Sequence, residues 1–582
     1  MADYKDVVIC GGGLAGLCLA RQLSLSKLPL SILVLDQLRR PLPEAAFKVG
    51  ESTIEAGAYY YRDTLQLAEH LETEHLEKLG LRYFFQSPDG DHALARRPEY
   101  GVSHFLPAKS HQIDRGKFEN HLRNLVAEAG IDLREGVEVQ GVTLNREANH
   151  QVSFLQDGEV QSVDCRWVVD AMGRRRYLQT KLDLRRPSAG AFNSAWFRLQ
   201  GKLRVQDLVP EAEVEFHGRV AEDRWNSTNH LMGPGYWIWV IPLAPNVTSV
   251  GIVADDALHP FVGYNTFERT MSWLQEKEPM LAKEITRYPL LDFKRVKNYS
   301  YTSKQIFSTS RWACIGEAAT FADPYYSVGS NLIAYANGFL QRLLELDRES
   351  KLTDEYVAHA NRFVINLNDA LTETIHRGYP YLHNAPVLTL KTIWDYYTGW
   401  GTADPQLYHE AYLDPKRAAA LSGVLSRHAV THARMIEMFE RWGAQTSQYR
   451  FEFVDYMADL PTLMELHKRS LPPIKPDFGW LLGLVRDAAA RIEELAQVIF
   501  FLAVEDVLPQ EGARFADKPW INIEAISLEP KRWETDGLFR PTTRPRDIRL
   551  LDAEIRRLFG REAQDDSIRL AEPQNVLVQN DL

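Results

Sequence analysis

Gly11, Gly13 and Gly16 stand between the apolar run VVIC and the helix-patterned LAGLCLARQLS. At that spacing each glycine has its own task. Gly11 permits a tight turn, Gly13 lets the backbone approach a pyrophosphate, and Gly16 lets helix and sheet pack closely. The helix that follows offers free N–H groups to an anion. Asp36 closes the next apolar run, LSILVLDQ, where a carboxylate can take a ribose hydroxyl. Together these residues point to a dinucleotide ligand. A second pair is of another kind. Trp237 and Trp239, in GYWIWVIP, lie one residue apart, so a strand puts both rings on one face. Two stiff apolar plates make either a buried strand face or a wall that excludes water and bulky molecules.

The elements that must position these residues follow from pattern. KDVVICGGGLAGLCLARQLS reads as strand, glycine turn and helix, and LSILVLDQ as a second buried strand, the opening of a βαβ unit. Residues 54–79 read as a charged helix ended by Gly80, with Lys78 in its last turn, and LRYFF as a strand. QIDRGKFENHLRNLVAEAG reads as a helix stopped at Gly130. Strand-like alternation follows near 137–170 and 190–255, and the stretch 311–346 reads as strand, loop and helix. Beyond 345 helical patterns dominate to about 515, broken by SLPPIKPDFGW, and the tail after 565 is polar.

Composition sets the outer limits. The chain has 582 residues and a formal net charge of −11, which argues against a nucleic-acid binder and against anionic membranes. Cys10, Cys18, Cys165 and Cys314 have no metal-ligand spacing and are too few for a disulfide framework, so a cytoplasmic location is expected. The N-terminus lacks a secretory pattern, and AQVIFFLAV is too short to span a bilayer and reads as part of a buried helix. No membrane or nucleic-acid partner is expected.

Three stretches narrow the ligand. QIDRGKFENHL, VVDAMGRRR and CIGEAATFADP resemble the FAD-binding fold of aromatic hydroxylases. The resemblance matches Asp114–Arg115 to that fold's Asp-Arg pair, with Arg115 near the cofactor, and Gly316–Glu317 to its Gly-Asp pair, with Glu replacing the usual Asp. WIWVIP, VGEST at 49–53 and DPYYSVGSNLIAYANGF at 323–339 resemble, in the same order, three signatures of the flavin-dependent halogenases. This likeness covers most of residues 5–345. It implies an α/β fold: a FAD-binding GxGxxG βαβ domain over 1–345 with an inserted, mainly antiparallel sheet at about 185–300. A mainly helical region, 346–582, would then cover the substrate chamber, and TIWDYYTGWG would supply aromatics to line it.

The resemblance also implies a chemistry. Reduced FAD and oxygen give a flavin hydroperoxide, halide attacks it to form hypohalous acid, and a lysine receives that oxidant beside an electron-rich arene. The implied lysine is Lys78, with Lys48 and Lys109 in reserve. Trp237 and Trp239 would separate flavin from arene, and Ser327 would belong to the catalytic loop. Gly11, Gly13, Leu14, Ala15, Gly16, Asp36, Glu51, Ser52, Arg115, Glu317 and Gly329 would hold FAD. Val328 and Gly329 would bind chloride or bromide through backbone N–H groups, with the Thr53 hydroxyl beside them. No metal is expected. Tryptophan halogenases carry Glu where this chain has Tyr326, and the DPYYS form resembles the phenol and pyrrole branch, so a phenol is the expected substrate, with indole left open. His230 and His104 are the candidate bases for a phenol. No second dinucleotide fingerprint is found, so a separate flavin reductase is implied, and the arene is either free or tethered to a carrier protein. Two other readings compete: a flavin-dependent aromatic monooxygenase without halogenation, and a flavoprotein-like binding subunit.

Overall fold

The computed structural model describes residues 3–561 apart from 42–49, 88, 189, 517 and 519. Lys48, Val49 and the polar tail lie outside the described residues. The glycine turn sits where expected, between the strand Asp3–Cys10 and the helix Leu14–Leu25. That strand belongs to a seven-stranded sheet. Its order runs Asp132–Glu135, Ile32–Asp36, Asp3–Cys10, Glu159–Asp170, His150–Gln156, Glu138–Thr143, with Trp312–Cys314 also paired to Glu159–Asp170. The central pairs are parallel. A parallel strand covered on both faces carries an uninterrupted apolar run, and every residue of Ile32–Asp36 is buried.

The second sheet has eight strands, ordered Leu290–Val296, Phe192–Gln200, Val247–Asp255, Tyr236–Leu243, Thr228–Gly233, Leu81–Phe85, Glu99–Gly101, Phe453–Asp455. It is antiparallel from Leu290–Val296 to Thr228–Gly233, as expected for the insertion. It also recruits strands from outside 185–300. Leu81–Phe85 joins it in parallel, and Phe453–Asp455 closes it from the far end of the chain.

Two sequence expectations need correction. Residues 54–79 do not form one helix. They form an α-helix at Glu55–Tyr59, a π-helix at Tyr60–Thr64 and a short helix at Ala68–Glu74. Gln66, with φ of 57°, turns the chain left-handed between them. Leu76–Glu77 then pairs as a strand with His111–Gln112, so Lys78 follows a strand and not a helix turn. The expected boundary at 345/346 falls inside the helix Gly329–Arg348, and one hydrophobic core runs from the second sheet into the C-terminal helices. AQVIFFLAV lies in the buried helix Phe478–Val507, as its pattern indicates. Among the described residues no helix is long and apolar enough to cross a membrane, and no cluster of His, Cys, Asp and Glu could hold a metal. The four cysteines are buried and free.

Candidate active site

A cavity of about 650 Å³ opens at the glycine turn and runs between the two sheets. Gly11, Gly13, Leu14, Ala15 and Asp36 line one end of it. Gly11 has φ of +117°, and a Cβ there would lie 2.2 Å from the Ala171 carbonyl oxygen, so only glycine fits. A Cβ on Gly13 would meet no protein atom within 4 Å and would point into the open cavity. Gly16 does not line the cavity. Its Cβ would lie 2.1 Å from the Gly11 carbonyl oxygen, which makes it the packing glycine.

Asp36 is held in a way the sequence reading missed. Its Oδ2 accepts from Arg123, whose Nη2 also donates to the Gly12 carbonyl at 2.7 Å. The Asp36 Oδ1 takes the Leu38 N–H at 3.3 Å. Arg123 is fully buried and pairs with Glu135 at 2.8 Å as well. Arg115, Glu119 and Arg123 recur every four residues along the helix Arg115–Glu128, a one-face spacing that was there to be read. Asp114 caps that helix by accepting the Lys117 N–H at 3.0 Å. Arg115 pairs with Glu119 at 2.7 Å and lines the cavity with Gly50, Glu51 and Ser52.

Glu51 is 3% exposed, and burial raises it to about 7 against the pull of Arg198. Its Oε1 lies 3.5 Å from Arg198 Nη1 and, among the described residues, has no hydrogen-bond partner. Glu317 also lines the cavity and pairs with Arg174 at 3.7 Å. An open glycine cradle, a buried carboxylate raised by burial and the Arg115 and Arg174 side chains along one elongated cavity suit FAD. Its pyrophosphate would lie at Gly11 and Gly13.

The two tryptophans line the other end. Their ring centroids are 5.8 Å apart and the planes are inclined by 45°. Each indole N–H is used: Trp237 Nε1 donates to the Tyr379 hydroxyl at 2.9 Å, and Trp239 Nε1 to Ser249 Oγ at 3.1 Å. Trp239 lies over its cross-strand neighbour Gly251, where a Cβ would meet the ring at 2.1 Å. Ser327, Val328 and Gly329 complete this end of the cavity. Ser327 is left-handed, with φ of 61°, directly after the turn Pro324–Tyr326 that Asp323 caps. Gly329 begins the helix Gly329–Arg348, so the first N–H groups of that helix open toward the cavity.

Lys78 is 3% exposed and is not part of the cavity wall. Its Nζ donates to the Thr53 carbonyl at 2.8 Å and to Ser52 Oγ at 3.0 Å. Ser52 Oγ is 2.9 Å from Thr228 Oγ1, which accepts from Gln112 Nε2 at 2.8 Å. Ser52 and Thr228 both face the cavity, so Lys78 stands one hydroxyl away from it. Burial lowers Lys78 to about 7, with the Glu55 carboxylate pulling the other way. Glu55, passed over in the sequence, is itself buried and raised above the usual carboxylate range by burial, and Trp400 Nε1 donates to its Oε2 at 3.4 Å. Its signal was there in GESTIE, one short step past the motif.

Other candidates fall elsewhere. The Thr53 hydroxyl donates to the His111 carbonyl at 2.9 Å and accepts the His111 N–H at 2.8 Å; it is fully buried and ties its segment to the strand His111–Gln112, with its proton already committed. Lys109 lies at the surface beside Glu72 at 3.5 Å and Glu77 at 3.6 Å. His104 is exposed beside Ser103. His230 lines the cavity but is pushed down to about 3 by burial, with Nδ1 3.3 Å from the Arg82 carbonyl, and so stays neutral. Tyr326 donates to Asp395 Oδ2 at 2.6 Å.

Residues 4–365 match the family described as FAD binding domain. A flavin-dependent halogenase of Dictyostelium discoideum is 28% identical over 381 residues, covering 60% of this chain and 62% of its own length. A chlorinase of Pseudomonas fluorescens, acting on 1H-pyrrole-2-carbonyl on a peptidyl-carrier protein, is 26% identical over 355 residues, 56% of this chain and 73% of its own. The solved structure of halogenase PltM superimposes with a TM-score of 0.58 at 17% identity, covering 84% of this chain and 96% of that one. Those relatives are flavin-dependent halogenases and a chlorinase, and the chain itself belongs to the FAD-binding-domain family.

Proposed function

We propose that this protein halogenates an electron-rich arene, a phenol by preference, using reduced FAD, oxygen and chloride or bromide. The observation that carries this reading is Lys78: a buried ammonium set one serine hydroxyl behind a cavity walled by two tryptophans. Bound and reduced, FAD supplies the two-electron chemistry with oxygen that turns halide into hypohalous acid. The backbone at Gly11 and Gly13 and the helix Leu14–Leu25 hold its pyrophosphate. Trp237 and Trp239 keep the arene away from the flavin and keep the chamber dry. The N–H groups of Val328 and Gly329 hold the halide.

Lys78 then orients the oxidant. Its ammonium donates a hydrogen bond to the oxygen and can release a proton to it as halogen is transferred, since a group near 7 exchanges protons readily at neutral pH. Glu55 is the candidate to take the proton of a phenol, because burial raises its carboxyl above the usual carboxylate range and makes it a stronger base than an exposed one. Tyr326 in place of a carboxylate supports the phenol. A carrier-tethered pyrrole is the second substrate class, in view of the chlorinase relative. The reduced flavin comes from a separate reductase.

The test is an assay with purified protein, FAD, a generic flavin reductase, NADH and oxygen. Phenols, free pyrroles, indoles and a pyrrolyl carrier protein are offered with chloride or bromide, and products are read by mass spectrometry beside Lys78→Ala. A halogen isotope doublet that is lost in Lys78→Ala is the expected result. A product that gains one oxygen regardless of halide would replace this reading with a monooxygenase.

A further inference from the structure

The C-terminal region touches the cavity wall through a small buried network. Trp237 Nε1 donates to the Tyr379 hydroxyl at 2.9 Å. Tyr379 in turn donates to Asp323 Oδ2 at 2.8 Å. The Tyr299 hydroxyl donates to the same carboxylate oxygen and lies 3.1 Å from the Tyr379 hydroxyl. His376 Nε2 is 3.5 Å from that oxygen. The other oxygen of Asp323 accepts the Tyr325 N–H at 2.9 Å and so shapes the turn that leads into Ser327. Asp323, Tyr299, Tyr379 and Trp237 are all at or below 2% exposure. The Tyr379 ring is wedged against Phe192, centroids 4.4 Å apart.

Hydrogen-bond inventory makes this network directional. A phenol has one proton to give, and the Asp323 carboxylate can only accept. The Tyr379 proton is therefore committed to Asp323, which leaves its lone pairs for the indole N–H of Trp237. Indole is a donor only, so a single acceptor fixes the direction in which its N–H points. A carboxylate in a dry interior holds such a chain firmly, because each bond polarises the next.

We propose that Tyr379 is a positioning residue for the tryptophan wall: it joins the Trp237 indole to Asp323, and through it to the turn bearing Ser327, and so keeps reduced flavin productive. In its consequence for turnover the proposal rests on the halogenase reading above; in its geometry it does not. When the wall is loose, reduced FAD and oxygen go to oxidised FAD and hydrogen peroxide, and no halogen is transferred. The region beyond residue 345 thereby acts on the chemistry from behind the wall.

The test compares two isosteric variants of the full FAD-loaded protein, Tyr379→Phe and Tyr299→Phe. Each removes one hydroxyl from the same Asp323 oxygen, but only Tyr379 reaches Trp237. Two quantities are read. One is the share of NADH oxidation that ends as hydrogen peroxide. The other, taken without turnover, is hydrogen exchange of the Trp237 indole proton in ¹⁵N-tryptophan-labelled protein, assigned with Trp237→Phe. Loss of one neutral hydrogen bond is expected to speed that exchange by about tenfold and raise the peroxide share about threefold in Tyr379→Phe, with changes under about twofold in Tyr299→Phe. Equal effects in the two variants, or none in either, would overturn the proposal. If Tyr379→Phe folds poorly, Asp323→Asn should still speed indole exchange, since it removes the charge that orients Tyr379 and keeps the size, and exchange no faster than in wild type would overturn the proposal. A wild type that makes no halogenated product would end the halogenase reading, while indole exchange would still decide for or against the Tyr379 tie.

Discussion

Lys78 Nζ lies 3.0 Å from Ser52 Oγ, and it is Ser52 that faces the flavin cavity. The serine hydroxyl is both the acceptor that aims the ammonium and the partition between it and the cavity. On the cavity side, Ser52 and Thr228 stand in front of Lys78.

Replacing Ser52 with alanine tests that partition. The ammonium keeps the Thr53 carbonyl at 2.8 Å and loses the hydroxyl. A hydrogen bond to a charged group contributes about 1.5–3 kcal/mol, so Ser52→Ala should lower the halogenation rate about 10- to 100-fold. Reduced-flavin oxidation should change far less. Both rates come from one experiment that follows product by mass spectrometry and NADH by absorbance. A parallel fall in the two would mean that Ser52 serves the cofactor alone.

Lys78 should cost the fold stability, and the cost should depend on pH. Burial lowers it to about 7. Unfolded, it titrates near 10.4, so between about 7 and 10.4 the unfolded chain holds more protons and stability rises with pH. Below 7 the full penalty of the buried charge is present. Lys78→Met removes that charge. It should abolish halogenation yet stabilise the protein by about 1–3 kcal/mol near pH 6.5, a gain that shrinks to nothing by pH 10. Thermal melts at three pH values decide it. A variant less stable than wild type at pH 6.5 would make Lys78 a structural residue.

What the sequence displayed well was local. The glycine turn and Trp237–Trp239 are contained within a few residues, and strand or turn geometry alone sets their directions. What it hid were partners brought together by topology. Arg123 meets Asp36 across 87 residues, and Tyr379 meets Trp237 across 142. The four-residue spacing puts Arg123 on one helix face, but no local pattern names Asp36 or Trp237 as a partner. The misread stretch 54–79 has helix-like charge spacing, but Leu76–Glu77 finds a strand partner in His111–Gln112, and tertiary pairing overrides propensity. The strand Phe453–Asp455 is three residues long and lies among helices, too short to show alternation. Thr53, a hydroxyl beside a motif, reads as available from the sequence, while in the fold its hydroxyl both donates to and accepts from the His111 backbone.

Gly251 sets the position of Trp239 from beneath. A Cβ there would lie 2.1 Å from the indole, on the strand directly paired with it. Gly251→Ala must therefore move the ring or the strand, at a cost of about 1–3 kcal/mol for overpacking. The expected outcome is a lower melting temperature together with a larger peroxide share, since the displaced ring is part of the cavity wall. A lower melting temperature with an unchanged peroxide share would show that Trp239 packs the strand face and has no part in isolating the flavin.

Gly11 and Gly13 separate the needs of the fold from those of the cofactor. Gly11 has φ of +117° and no room for a Cβ, so Gly11→Ala should destabilise the apoprotein whether or not flavin is present. Gly13, at the cap of the helix Leu14–Leu25, has φ of −84°, which alanine adopts without strain. Its Cβ would touch no protein atom within 4 Å. Gly13→Ala should therefore leave the stability of the apoprotein within about 1 kcal/mol of wild type. Its methyl would occupy the space that the backbone leaves for a pyrophosphate, so FAD affinity should fall about 100-fold. Denaturant unfolding of the apoprotein and a flavin titration, run on both variants, give the two readouts separately. Normal FAD binding by Gly13→Ala would move the pyrophosphate away from this turn, and with it the orientation of the flavin along the cavity.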